Sequence, residues 1–155
     1  MTLLFSLILV ATALNGMLAG ASLEGSLVKL PARRRIGNIA YATFARGNDL
    51  GNGRVVYPVW AISATLFIFM ATVVALVTTQ PLGSLLPLLL ASGTSVCHFI
   101  ATSQAAPTML SLKNTSDNEA LLGAKLDRFE RWHAVRAVFQ VLTFFLMLWA
   151  LVVAR

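Results

Sequence analysis

Arg128-Phe-Glu-Arg-Trp-His-Ala-Val-Arg136 is a charged, aromatic segment that runs without a break into residues 137–155, which carry no charge before Arg155. His133, Arg136, Gln140 and Thr143 recur at steps of three and four, the spacing of one helix face. A polar stripe therefore enters an apolar helix from its charged end. A long apolar helix that begins at a band of basic charge has the pattern of a membrane span, and this decides the fold class.

Composition agrees with that reading. The chain has 155 residues, 57% hydrophobic and only 12% charged, with a mean hydropathy of +0.78. A soluble domain carries roughly a quarter charged residues, so half that share points to lipid as the solvent. The length suits one domain, 1–155. A formal charge of +6 invites nucleic acid, but the basic residues flank apolar runs. Topology and anionic lipid explain them better, and no nucleic-acid partner is expected. The single cysteine, Cys97, lies in an apolar run and says nothing about redox compartment.

Working outward, the chain shows four apolar runs, over about 2–28, 55–79, 82–104 and 132–154. Each supplies the ~20 residues needed to cross a hydrocarbon core. Lipid offers no hydrogen bonds to the backbone, so each run is read as a helix. The first run lacks a basic leading segment and is long for a signal peptide, so it is read as a retained span. Lys29, Arg33, Arg34, Arg35, Arg46 and Arg54 lie between runs one and two. Lys113, Lys125, Arg128 and Arg131 lie between runs three and four, with Arg136 just inside the last helix. The Gln80-Pro81 link is uncharged, and the termini contribute only Arg155. The positive-inside rule then gives an all-α, antiparallel four-helix bundle, N-out and C-out, in the plasma or inner membrane.

Both basic connections carry local signals. Pro31-Ala-Arg-Arg-Arg35 is expected to end the first helix and set three guanidiniums at headgroup level. A short amphipathic helix (Ile36, Ile39, Ala40, Phe44) follows. Arg46-Gly-Asn-Asp-Leu-Gly-Asn-Gly-Arg54 then reads as a tight hydrogen-bonding loop. Through Asn48 and Arg54 it is either a lid over the bundle or a well-made turn. Asn114-Thr-Ser-Asp-Asn118 reads as a polar turn, and Pro81 opens the third helix.

Polar residues inside apolar helices are costly and informative. Glu24 follows Gly16 and Gly20 at steps of four, a face that admits a close neighbour and places a carboxylate at the contact. Asn15, nine residues before Glu24, falls on the opposite side of the same helix. Ser92, Ser95, His98 and Thr102 share a face of the third helix. Glu24, His98 and either His133 or Arg136 are thus expected to meet from three helices in the cytoplasmic half. They would form either a functional pocket or polar contacts that fix the bundle's register, with Arg136 neutralising Glu24.

Neither Cys-x2-Cys nor His-Glu-x2-His occurs, nor a glycine-rich phosphate loop. No cofactor is expected; the alternative is haem or a metal held through His98 or His133, without paired ligand spacing on one helix to support it. A histidine base, an arginine and aromatic surroundings (Tyr57, Trp60, Phe99, Trp132) suit abstraction of an acidic C–H proton from a flat hydrophobic substrate.

Leu18-Ala-Gly-Ala-Ser22, Leu30-Pro-Ala-Arg33, Arg54, Tyr57-Pro58, Ala106-Pro107 and Phe129-Glu-Arg-Trp-His-Ala-Val-Arg136 resemble the anthrone-oxygenase-like family of small four-helix membrane proteins. That resemblance implies oxidation of an anthrone-like aromatic by molecular oxygen without an evident bound cofactor. Many members have an asparagine after the third-helix proline, whereas Thr108 and Met109 follow Pro107 here. The expected site has His133 or His98 as base, Arg136 as oxyanion partner and Glu24 as orienting carboxylate. Trp132, Tyr57, Asn48, Arg54 and Gln140 would contact substrate. The expected partners are the bilayer and a hydrophobic small molecule, with homo-oligomerisation left open. Two other readings stand beside this one: a haem- or metal-bearing membrane isomerase, and a non-catalytic membrane subunit or small transporter.

Overall fold

The computed structural model describes residues 2–154, and they are almost entirely helical. Six α-helices occur in the order α1 (Leu3–Glu24), α2 (Leu30–Ile36), α3 (Asn38–Gly47), α4 (Gly53–Val77), α5 (Leu82–Ser111) and α6 (Glu119–Val153). Four stretches of helix are long and apolar enough to cross a membrane. α1 packs on α4 and α6, and α5 packs on α4 and α6, so the long helices stand in a closed square with antiparallel neighbours. The α5–α6 contact is the most extensive of the four and the α4–α5 contact the slightest. Arg155 lies outside the described residues.

The core has two apolar layers with a polar band between them. The layer nearer the 78–81 link is built around Ile8, Ile68, Leu88 and Met147, and Ala11, Ala71, Ala75, Ala91 and Ala150 supply half of it. Alanine lets helix backbones approach closely, which is how packing contributes where lipid removes the hydrophobic drive. The layer at the basic end is bulkier, with Leu30, Tyr41, Met109, Leu112, Leu126 and Phe129. The outer surface is apolar as well. Leu66, Val73, Ile100, Val138 and Phe145 are among many large side chains facing outward.

Four hydrogen bonds stitch the polar band: Thr65–Ser95 at 2.9 Å, Thr72–Ser92 at 3.1 Å, Thr94–Thr143 at 2.8 Å, and Gln140 Nε2 donating to Asn15 Oδ1 at 2.8 Å. The expected inward faces of the third and fourth long helices are therefore present.

The basic end departs from expectation in three places. Pro31 does not end the first helix. The chain passes through a wider π-type turn, Gly25–Lys29, and continues as α2, where Pro31 sits in the first turn and its missing N–H costs little. The true break is Gly37, whose φ of 85° lies in the left-handed region that glycine adopts freely. The 46–54 segment is helical, with a π-type turn at Asn48–Asn52 kinked at Gly51. And α3 buries Tyr41, Ala42 and Ala45, while Ile39 and Phe44, like Ile36 at the end of α2, are exposed.

Side-chain contacts strap this cap down. Glu119 receives the N–H groups of Asn38 (2.9 Å) and Ile39 (3.3 Å), a carboxylate on the N-terminus of α3. Arg46 donates to Leu112 O, Thr115 O and Asp117 Oδ1 at 3.1, 2.8 and 2.8 Å. Arg33 is buried and pairs with Asp127 and Glu130, so only part of the expected arginine anchor faces outward.

Candidate functional site

Between the polar band and the cap lies a cavity of about 310 Å³. Its walls are apolar, including Leu18, Ile62, Phe99, Met109, Leu110 and Phe129. Its polar groups include Ser22 of α1, Lys29 after α1, Asp49 and Tyr41 from the cap, Tyr57 and Arg54 from α4, His98 and Thr102 from α5, and His133 and Arg136 from α6. Ile62, Phe99 and Leu110 both line the cavity and face the outer surface, so its mouth opens sideways between α4 and α5, the slightest contact in the square.

His133 and His98 differ in what their nitrogens do. His133 is buried; its Nε2 lies 3.3 Å from the carbonyl of Ser22, which can only accept, so Nε2 carries the hydrogen. Its Nδ1 then receives Arg136 Nη2 at 2.6 Å. Both ring nitrogens are engaged in a neutral imidazole, and the ring orients the guanidinium. His98 donates Nδ1–H to the Arg136 carbonyl at 3.4 Å. No protein group among the described residues bonds its Nε2, so that lone pair is the open position of the pair. It is the nitrogen able to take a proton, or to ligate a haem iron or metal. Among the described residues no three His, Cys, Asp or Glu side chains are placed to share one ion.

Gly25 makes the His133 arrangement possible. A Cβ on Gly25 would sit 2.6 Å from His133 Nε2, well inside contact distance. The glycine starts the π-type turn, and its N–H bonds both Ala21 O and Ser22 O. His133 therefore docks where the first helix widens. Phe129, one turn before His133, packs its ring 5.3 Å from the imidazole.

Arg136 has no carboxylate within salt-bridge range among the described residues, and its Nε is buried without a hydrogen-bond partner. A guanidinium in an apolar cavity with donors unspent has the makings of an anion or oxyanion site. Asp49 is the acidic residue in the cavity wall, which Lys29, Arg54 and Arg136 also line.

Five of the expected site residues line the cavity: His98, His133, Arg136, Tyr57 and Arg54. Four do not. Glu24 points outward with its side chain 47% exposed and pairs with Lys29 at 2.9 Å. The helix buries the opposite face, that of Asn15, Leu18 and Ser22, so Glu24 never meets Arg136. Gln140 is spent on Asn15 one level deeper. Trp132 packs against the apolar layer at the basic end. Asn48 donates to Asp49 at 3.0 Å, and it is Asp49 that lines the wall.

Comparison of the chain with protein-family models, curated proteins and solved structures returns no match. The class the fold defines is an α-helical bundle with the span composition of a multi-pass membrane protein.

Proposed function

We propose that the protein is a membrane-embedded oxidoreductase that binds a hydrophobic aromatic carrying an acidic C–H beside a carbonyl or phenol, and oxygenates it. The observation that carries the reading is Arg136, a guanidinium with no carboxylate within salt-bridge range among the described residues, in an apolar cavity that also holds the unspent Nε2 of His98. In this scheme His98 Nε2 accepts the substrate proton, and Arg136 stabilises the oxygen on which charge develops. His133 orients Arg136. One atom of molecular oxygen, the oxidant, becomes the carbonyl oxygen and the other leaves as water, so a CH2 and O2 become a C=O and H2O. The resemblance to the anthrone-oxygenase-like family points the same way.

The sideways mouth between α4 and α5 supports a lipid-soluble substrate, which would enter from the bilayer. In the orientation we propose, the basic end, with the cap, faces the cytoplasm and both termini face outward. Organic extraction of purified protein followed by mass spectrometry tests the binding. We expect a hydrophobic aromatic with an ionisable hydrogen from wild type, and its loss from Arg136→Gln. Equal recovery from both would count against Arg136 as the anchoring group.

A further inference from the structure

We propose that a second groove, on the outer face between α5 and α6, binds the phosphate headgroup of an anionic phospholipid. It rests on the reading of the bundle as membrane-embedded, and it is separate from the cavity. The groove, of about 280 Å³, has Ser103, Pro107, Thr108 and Ser111 on the α5 side and Lys125 and Arg128 on the α6 side.

The charge balance leaves both of these cations without an acidic partner. Glu24 pairs with Lys29, Asp117 with Arg46, Asp127 with Arg33, and Glu130 with Arg33 and Arg34. Glu119 caps α3, and Asp49 is held by Asn48 in the cavity wall. Every acidic side chain is thus engaged elsewhere, and none lies within 4.0 Å of Lys125 or Arg128 among the described residues. Lys125 is nevertheless fixed. Its Nζ donates to Ser111 Oγ at 3.0 Å and Thr115 Oγ1 at 2.9 Å. Both hydroxyls pass their own hydrogens to backbone carbonyls, so they can only accept from the ammonium. A third N–H remains. Arg128, three residues on along the same helix face, is exposed.

The surroundings favour a lipid over a free anion. Ile100 and Val96 continue the groove's face of α5 toward mid-bundle, and Val135 and Leu142 continue that of α6 at heptad steps from Arg128. All four are exposed apolar side chains. A phosphate seated on Lys125 and Arg128 would lay its acyl chains along them. Pro107 has no N–H, so the Ser103 carbonyl one turn earlier lacks its helical partner and can accept from a headgroup hydroxyl. A glycerol-type headgroup on an acidic phosphate fits both features, and basic recesses between helices at the cytoplasmic side suit such lipids.

The test is a native mass-spectrometric titration of the full chain with phosphatidylglycerol, with phosphatidylcholine as reference. A basic residue near an anionic surface contributes about five-fold in affinity, so Lys125→Gln/Arg128→Gln should bind phosphatidylglycerol roughly 25-fold more weakly. Arg35→Gln/Lys113→Gln removes the same charge from exposed sites at the same end and should change binding little. Equal losses in the two double variants would overturn the site in favour of diffuse attraction. So would inorganic phosphate that competes with phosphatidylglycerol on equal terms, which would leave a simple anion site. Arg128→Gln alone should still weaken binding about five-fold, and it disturbs no side-chain hydrogen bond among the described residues. Protein that enters phosphatidylcholine nanodiscs but shows no phosphatidylglycerol preference loses this proposal alone; failure to enter them removes the membrane reading too.

Discussion

The two histidines were equivalent candidates in the sequence, and hydrogen-bond bookkeeping separates them. His133 has a donor and an acceptor already matched, and His98 keeps one nitrogen open. No spacing rule reveals that difference, because it depends on which helix offers a carbonyl. Likewise Glu24 and Asn15 could not both face inward, a fact the helical period made plain. Which of them does was settled by Gln140, whose amide pairs with Asn15. Two predictions follow from these contacts. Gly25→Ala places a methyl on His133 Nε2, forces the ring away from Ser22 and releases Arg136. We expect ligand retention and turnover to fall sharply, with stability falling by only about 1–3 kcal/mol, the usual cost of an added methylene in a packed site. Normal ligand retention, measured by extraction and mass spectrometry, would show that the docking is dispensable. Glu24→Gln removes an exposed ion pair, and exposed pairs contribute ~0–1 kcal/mol. Its thermal stability in detergent should match wild type, and a large loss would return Glu24 to the bundle interior.

At the scale of elements, the four long helices and the 78–81 link were legible because apolar runs of span length have no other stable form in lipid. The ends of those helices were not. α5 continues to Ser111 through Ala105, Ala106, Met109 and Leu110, and α6 begins at Glu119 through Lys125, Arg128 and Arg131, because alanine, methionine, leucine and the charged residues are all good helix formers. The cap was harder still. Its conformation is set by Glu119 and Arg46 reaching across 80 and about 70 residues of sequence, contacts that no local pattern encodes. Those contacts also predict its response to mutation. Arg46→Ala removes three hydrogen bonds from the guanidinium, two of them to backbone carbonyls, and charge-assisted bonds contribute ~1.5–3 kcal/mol each. Hydrogen exchange should accelerate over residues 38–52 while the Leu88 and Met147 layer keeps its protection. Acceleration spread evenly over the whole bundle would mean that the cap is no separate unit.

For the molecule as a whole, we propose a lipid-facing exterior, a basic end on the cytoplasmic side, and a cavity reached from the bilayer. The orientation is open to direct test in a Cys97→Ser background, since Cys97 is the sole cysteine. A cysteine at Gln80 should react with an impermeant reagent applied to intact cells, and one at Asn114 should not. The opposite pattern would turn the bundle over. The mouth makes its own demand: Ile62→Trp should narrow it and raise KM for a lipid-soluble substrate more than it lowers kcat. An unchanged KM would place the entrance elsewhere. The central claim, a reaction carried by His98 and Arg136, meets its most direct test in oxygen uptake by His98→Gln in nanodiscs supplied with an anthrone-like aromatic. A positioned base contributes ~10²–10⁴-fold, so uptake and ketone product should fall by that factor while thermal stability holds. Uptake by His98→Gln equal to that of wild type, or none by wild type with any such aromatic, would contradict the account.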